Sequence, residues 1–393
     1  MRDRIKNLPV NWIDGMKINK NHFISQDNAW RDALNDVSSL NTYHFRYGII
    51  PPSSAGEENF NIKISIDNLN TLSVIVLACQ AITPGGVRIN LPCTLNSENI
   101  SLDTGSMPST TFQLSEINSG MQWWIVLHVN PFQKKPIGSP DLNENPPRLP
   151  FLSPTYLVQV INDSQYNQFA FHPYSIIIGK VLSNGNEVIV DNNYIPPCYI
   201  TNALDDLKKF HAELDSFLAG IEMRCSQIVQ KIYRKNQQND LSELVLFLCD
   251  RLVIFLSEVL TQMRWFISYE SPASMLLKIV SLARLMKNVI DLRTGSGKEE
   301  MMNYLCEWCN LKQGQLEDLL ISIANLKYDN NDVNKSIQKI IEFVKVTTSL
   351  FETLSKLEFI GKKKDTGIFV KEEQRGVLDE VTKTKTRRRF FGN

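Results

Sequence analysis

The sequence lacks an apolar run long enough to cross a membrane. Its longest apolar stretch, residues 241–260, is interrupted by four charged side chains, and charges near the centre of a bilayer are costly. They are Glu243, Asp250, Arg251 and Glu258. The opening MRDRIKNLPVNWIDG is basic, but no apolar stretch follows it, so we expect neither a secretory signal nor a lipidation motif. These absences predict a cytoplasmic protein in which residues 241–260 form a buried helix.

The chain also lacks a charge imbalance and a disulfide pattern. Forty-two lysines and arginines balance forty-two aspartates and glutamates, so no overall field attracts nucleic acid, an anionic membrane surface or an acidic substrate. The seven cysteines are odd in number and scattered, which is typical of a reducing compartment. We therefore expect partners to be recognised by local shape.

Motifs that would support catalysis are missing or incomplete. None of the five histidines belongs to an HExxH, GxSxG or Cys-His-Asn arrangement. The segment RTGSGKEE (293–300) resembles a phosphate-binding loop, but position 292 is Leu where that loop needs Gly, so it is read as a turn between helices. Cys306 and Cys309 form half of a zinc site without a second pair, which favours core packing. The sequence thus predicts no enzyme, no cofactor and no metal site; stoichiometric zinc would contradict this.

The first half of the chain has the period of β-strands. Apolar residues alternate from Phe60 to Ile66 and from Leu72 to Val76, and β-rich runs recur at 122–129, 155–161, 174–181 and 187–190. Turns at 84–86 (Pro-Gly-Gly) and 183–185 (Ser-Asn-Gly) predict two hairpins. Seven prolines between 131 and 154 predict an extended surface loop outside any ladder. This half is predicted to be an antiparallel sandwich or barrel.

After Pro196 and Pro197 the period becomes helical. Nine residues spaced alternately by three and four form a heptad seam, which is a coiled-coil signature. With Leu at position a and Ile at position d, the pattern favours three or four strands over two. The seam residues are Leu204, Leu207, His211, Leu214, Leu218, Ile221, Cys225, Ile228 and Ile232.

His211 is the polar member of that seam. A polar seam residue can set register or oligomeric state at a cost in stability, and a histidine can do so with pH. The alternative is a histidine at the edge of the interface. Both readings stay open at the level of the sequence.

Further helical patterns follow the seam. They begin at Leu241, at Ser271 and Pro272, and within 298–312, 315–327 and 332–358, while residues from Gly361 onward are charged and carry few apolar side chains. The predicted fold is α+β and multidomain. Its parts are an N-terminal antiparallel β-sandwich (1–198), a central trimeric helical bundle or coiled coil (199–296), a small C-terminal helical domain (297–360) and a charged, flexible tail (361–393).

The opening segment carries a family resemblance. WIDGM (12–16) is followed by HFISQD (22–27), then by Tyr47-Gly48-Ile49, the Pro-Gly-Gly turn at 84–86, and Ile195-Pro196-Pro197-Cys198 before the long helix. In this order, over about the first 205 residues, the motifs resemble the TssK family of type VI secretion baseplate subunits. The departure at the C-terminus, where only helices and a charged tail follow, is expected of a divergent lineage such as that of Bacteroidetes.

The resemblance implies a phage-tail-like structural protein without catalysis. It implies a homotrimer with a β-sandwich shoulder, a helical neck and a C-terminal head. The shoulder would bind the wedge proteins TssF and TssG, and the head would contact cytoplasmic parts of the membrane complex, which places the protein at the inner membrane through the apparatus and without insertion. The rival reading is a phage-type trimeric receptor-binding or tail adaptor protein.

Six residues of the opening segment are the candidate site. They are Trp12, Asp14, Gly15, Met16, His22 and Phe23. They precede an amphipathic stretch with Trp30, Leu34 and Val37. The large apolar side chains have two readings: they anchor the segment on the sandwich, or they contact a wedge protein.

Overall fold

A computed structural model describes residues 6–54, 56–92, 107–114, 120–140, 143–184, 187–309 and 311–361. Its contacts divide the chain into two compact units. The first comprises Met1–Leu207, Tyr269–Ala273 and Tyr328–Lys335, and the second comprises Lys208–Ser268, Ser274–Lys327 and Ser336–Asn393. This division differs from the predicted one, because the helices expected as neck and head share one unit and residues 328–335 belong to the first. The predicted tail lies outside the described residues from position 362 onward.

The first unit opens with helix α1 (Lys20–Ser39) and contains two antiparallel sheets. Strand β3 is the centre of one sheet, and the other strands of that sheet all pair with it. That sheet consists of β1 (Gly48–Ile49), β2 (Phe60–Ile66), β3 (Thr71–Ile82), β4 (Arg88–Leu91) and β5 (Ser109–Gln113). The other sheet has the order β7-β6-β8-β9. It consists of β6 (Gln122–Ile137), β7 (Phe151–Asn162), β8 (Ser175–Asn184) and β9 (Glu187–Val190), and helix α2 (Asp163–Phe169) follows β7.

Both predicted hairpins are confirmed. β3 and β4 pair around the Pro-Gly-Gly turn, and β8 and β9 pair from Asn184 opposite Glu187, although Gly185 lies outside the described residues. The two sheets touch where Gly179 of β8 lies against Ile64 of β2, since a Cβ atom added to the glycine would lie 3.2 Å from Ile64 Cδ1. The absence of a side chain at this position therefore permits the close approach of the sheets.

The proline-rich segment departs from its prediction. β6 continues to Ile137 and pairs with the start of β7, so both ends of the segment lie in a ladder. Pro131 falls in the register shift between Asn130 and Lys134, where no ladder hydrogen bond is required of it. The Asn130 side-chain oxygen accepts from the next two main-chain N–H groups, of Phe132 and Gln133, at 3.1 Å each. The bulge thus absorbs the proline and the hairpin arm continues.

The second unit is helical. Its helices are α3 (Asp205–Arg234), α4 (Asp240–Trp265), α5 (Pro272–Asp291), α6 (Lys298–Cys309), α7 (Gln313–Ala324) and α8 (Val333–Lys356). The Gly-rich segment 293–297 is the predicted turn, between α5 and α6, and the Lys298 ammonium pairs with Asp291 and Glu317 at 2.7 and 3.0 Å. None of the helices in the described ranges is both long and apolar enough to span a bilayer.

The heptad seam is buried within the chain. Seven of its nine residues are fully buried: Leu207, Leu214, Leu218, Ile221, Cys225, Ile228 and Ile232, whereas Leu204 and His211 are half-buried. α3 is tied to α4 by the ion pair of Asp215 with Arg264 (2.9 Å) and to α8 by Lys231, which donates to the Ser355 carbonyl. The seam therefore packs against helices of its own chain, which corrects the expectation that it faces other copies. Trimerisation itself is not tested by a single chain and stays a prediction.

Candidate partner-binding surface

Helix α1 begins with a capping box. Asn19 Oδ1 accepts from the main-chain N–H groups of Asn21 (2.9 Å) and His22 (3.3 Å), and His22 Nδ1 accepts from the Asn19 N–H at 3.3 Å. These bonds satisfy donors that the first helical turn leaves without intrahelical partners. His22, a candidate site residue, therefore has a structural role at the start of the helix.

Trp12 folds back onto this first turn. Its ring lies 6.1 Å from the His22 ring and 6.1 Å from the Phe23 ring, measured between centroids. Gln26 Oε1 holds the segment in place by accepting from the Val10 N–H at 3.0 Å and from Trp12 Nε1 at 3.3 Å. Three of the six predicted site residues thus form one aromatic cluster.

The other three predicted residues form the turn that leads into this cluster. Gly15 has a φ of +78°, which strains any residue with a Cβ atom, and the Met16 N–H donates to the Ile13 carbonyl at 3.3 Å. Asp14 is exposed and Met16 is half-buried. The turn reverses the chain so that Trp12 can reach the helix.

Polar groups attach α1 to the rest of the unit. Asp32 is buried on the inward face of α1. The Asp32 Oδ2 accepts from the main-chain N–H groups of Lys6 (2.6 Å) and Asn7 (2.8 Å). Just after the last turn of α1, Thr42 Oγ1 lies 2.6 Å from the Pro84 carbonyl oxygen. Gly86 lies so close that an added Cβ would be 2.6 Å from the Asn35 carbonyl oxygen. The Pro-Gly-Gly turn is therefore where the end of α1 rests.

The apolar face of α1 points to solvent. Phe23 is 58% exposed, Trp30 64%, Leu34 65% and Val37 60%, and these four residues recur at helical spacing on one side. A surface helix normally turns its apolar side to the core, so α1 is inverted. Of the three large apolar residues with two readings, Phe23 lies on this exposed face, whereas Trp12 packs on the first turn of α1 and Met16 is half-buried. The exposed apolar side of α1 is therefore the candidate partner-binding surface.

The two remaining family motifs meet elsewhere in the same unit. Gly48 lies against Pro197, where an added Cβ would be 1.9 Å from the proline carbonyl oxygen. The Ile49 N–H donates to that oxygen at 2.8 Å, and the Tyr199 N–H donates to the Ile49 carbonyl at 2.8 Å. Glycine at 48 is required by this contact and by a φ of +118°.

Sequence reasoning missed the loop Tyr328–Lys335, which inserts into the first unit. The Tyr47 hydroxyl lies 2.8 Å from the Ala170 carbonyl oxygen and 2.9 Å from Asn331 Oδ1. The Tyr166 hydroxyl donates to Asp329 Oδ2 at 2.8 Å. The run Asp-Asn-Asn reads only as a turn, and nothing in its spacing shows that it is buried.

A buried ion pair completes this insertion. Lys180 Nζ lies 2.7 Å from Asp332 Oδ2, with 11% and 7% of the two side chains exposed, and 4.8 Å from the centroid of the Trp124 ring. The Tyr194 hydroxyl donates to the Asn331 carbonyl at 2.6 Å. Burial raises the pKa of Tyr47, Tyr166 and Tyr194 above the usual phenol range, so these hydroxyls keep their protons.

The half zinc site lies inside α6. Cys306 and Cys309 are both buried, and Cys309 Sγ lies 3.8 Å from the Cys306 carbonyl oxygen. Burial raises the pKa of Cys306 to about 11, so its thiol stays protonated at neutral pH. In the described ranges, no three metal-ligating side chains come together.

No protein-family model matches this chain, and no characterised protein matches it by sequence. Three solved structures are similar at 15% identity. The crystal structure of TssK has a TM-score of 0.47, with 88% of this chain and 69% of that chain covered. The chain resembles TssK. The baseplate complex of the type VI secretion system has a TM-score of 0.43 (71% and 88% covered), and the TssK-TssF-TssG baseplate subcomplex, revealed by cryo-electron microscopy, has 0.40 (88% and 100%).

Proposed function

We propose that this chain is a structural subunit of a type VI secretion baseplate, bound through its first unit to the wedge proteins TssF and TssG. The inverted helix α1 carries the proposal. A monomer gains nothing from exposing four large apolar side chains on one face of a helix whose polar face is turned inward. Contact with another protein would remove that surface from water.

The position of the family motifs supports the same role. The Trp12 cluster begins α1 and the Pro-Gly-Gly turn supports its end, so three motifs of the resemblance, WIDGM, HFISQD and that turn, surround the exposed face. The remaining motif pair, Gly48 with Pro197, fixes the start of the first sheet. The motifs at α1 thus help to present a surface, as a connector requires.

The finer parts of the proposal follow from the family resemblance. The two sheets form the sandwich shoulder, the protein is a homotrimer, and it links the wedge to the membrane complex from the cytoplasmic side without catalysis. Because the heptad seam is buried inside the chain, the trimer contact has to use another surface of the helical unit. Exposed apolar residues supply a candidate: Ile254, Trp265, Phe266 and Leu277.

Capture of the cognate wedge proteins tests the proposal. Full-length protein with Trp30→Ser and Leu34→Ser should lose at least about thirtyfold in affinity for co-expressed TssF and TssG, since even one buried interface anchor is worth about 2 kcal/mol or more. Its urea midpoint should not change, because both side chains are exposed in the free chain.

Leu69→Ser is the matched control. Leu69 is an exposed apolar residue of the same unit that lies in the turn between β2 and β3, away from α1. Equal capture of the α1 variant and the control would contradict the assignment of the surface. Binding of the wild-type chain to intact cells and not to TssF and TssG would favour the receptor-binding reading. A monomeric mass by light scattering would contradict the trimer.

A further inference from the structure

A groove of about 300 Å³ lies behind α1, on the side opposite the exposed apolar face. Its walls come from the second half of α1, from the turn Thr42–Phe45, from the Pro-Gly-Gly turn and from the loop Phe171–Tyr174. All four segments belong to the first unit. The groove is thus distinct from the surface assigned to the wedge proteins.

Aromatic rings and prolines make up much of the lining. The His44 ring stacks on Phe171 at 4.0 Å between centroids, and the Tyr43 and Phe45 rings stack at 5.8 Å. Pro84 and Pro173 complete the apolar wall. Aromatic-lined grooves are a recurring site for extended peptides, whose side chains fit between the rings.

The polar residues of the lining indicate which charge a ligand of the groove should carry. It contains two aspartates, Asp32 and Asp36, and no lysine or arginine among the described lining residues. Lys6 Nζ lies 5.5 Å from the centroid of the ring of Tyr174, which is one of the lining residues. A bound peptide should therefore be basic.

The sequence contains a segment of this chemistry. Residues 362–393 carry ten of the 42 lysines and arginines but five of the 42 aspartates and glutamates, so that segment is net basic and residues 1–361 are net acidic by the same amount. Positions 383–391 read KTKTRRRFF, with five basic residues, two phenylalanines and no acid. We propose that the groove binds this basic C-terminal segment of a second copy of the chain, with arginine at Asp36 and phenylalanine among the rings.

That the peptide comes from a second copy of the chain rests on the proposed trimer, whereas its basic and aromatic composition does not. A fluorescent peptide of residues 382–393 is titrated into full-length protein that carries Arg387→Gln, Arg388→Gln and Arg389→Gln, so that its own ends do not compete. We expect saturable binding by anisotropy. A peptide with the same three substitutions should bind at least about tenfold more weakly, because charge-assisted contacts are lost. That comparison leaves the folded receptor unchanged.

Groove variants then locate the binding. Asp36→Asn and Phe45→Ser, each introduced singly into the receptor, should weaken the peptide by a similar factor, whereas Leu69→Ser should not. Absence of saturable binding, or binding that survives both groove substitutions, would overturn the inference. Tighter binding after Arg2→Gln and Arg4→Gln would also overturn it, because the first residues of the chain would then be the occupant. Wedge capture and mass are separate readouts, so failure here is distinguishable from failure of the proposed function.

Discussion

His211 Nε2 donates a hydrogen bond of 2.8 Å to the main-chain oxygen of Met263. Met263 lies in the last turn of α4, where carbonyl groups lack intrahelical donors. The histidine therefore occupies a seam position because it caps a neighbouring helix of its own chain. This finding replaces both readings that the heptad pattern left open, register control and an interface edge.

Replacing His211 with Leu should consequently lower stability. The change leaves the Met263 carbonyl without its donor, and we expect a loss of about 0.5–1.5 kcal/mol in the free energy of unfolding by urea denaturation. His211→Gln keeps a donor and should recover part of it. A Leu variant more stable than the wild type would instead indicate that this position faces apolar residues of other copies.

The buried pair of Lys180 and Asp332 gives a sharper test of the inserted loop. Lys180→Met leaves a buried carboxylate without its cation, which should cost about 3–5 kcal/mol. Adding Asp332→Asn removes that charge but keeps an acceptor for the Lys335 N–H, 3.3 Å away, so the double variant should be more stable than the single one. Equal stability of the two variants would mean that the Asp332 carboxylate is hydrated and that the loop Tyr328–Lys335 does not pack into the first unit.

Tyr47 predicts a dependence of stability on alkaline pH. Burial raises the pKa of its hydroxyl in the folded chain, so above about pH 10 the unfolded chain releases a proton that the folded chain retains. The contribution of the neutral Tyr47 hydroxyl to the free energy of unfolding is fully present below about pH 10 and is lost as the pH rises beyond it. Tyr47→Phe should lower stability at pH 7.5, because its hydrogen bonds are lost, but should flatten the decline between pH 9 and 11. Parallel declines in the two proteins would argue that this hydroxyl is exposed.

Gly86 and Gly120 are a matched pair of positions that test whether the end of α1 rests on the Pro-Gly-Gly turn. Both have positive φ (+79° and +86°), but only at Gly86 would a Cβ atom meet another residue within 4 Å. Each alanine substitution should carry the backbone cost of about 1–2 kcal/mol. Gly86→Ala should cost more and should also reduce wedge capture, since it displaces the end of the helix. Identical losses in stability and unchanged capture would show that α1 does not rest on this turn.

Local patterns in the sequence predicted local structure well. The switch from period two to period 3.6 near Pro196, the hairpins and the turn at 293–297 are all present, because each is decided by neighbouring residues. The heptad seam shows the limit of this reasoning: spacing indicates that one face of α3 is buried, but not whether its own chain or another copy covers it.

Features that depend on distant parts of the chain were not accessible from the sequence. The apolar positions of α1 define a face, yet their spacing is the same whether that face points inward or outward. The proline-rich segment contains a ladder that its composition does not reveal, because a three-residue bulge accommodates Pro131. Residues 328–335 have no periodicity, and their burial is decided by tyrosines more than 130 positions away in the chain.

That last insertion has a consequence for how the protein can be divided. The first unit is not continuous in the chain, since eight of its residues, Tyr328–Lys335, come after the five helices α3 to α7. A fragment cut at residue 198 would contain Tyr47, Tyr166 and Lys180 but not the loop residues that they contact, Asn331, Asp329 and Asp332. The loop packs with the first unit although helices of the second unit precede and follow it in the chain, and a graft of the first unit onto another protein must carry it along.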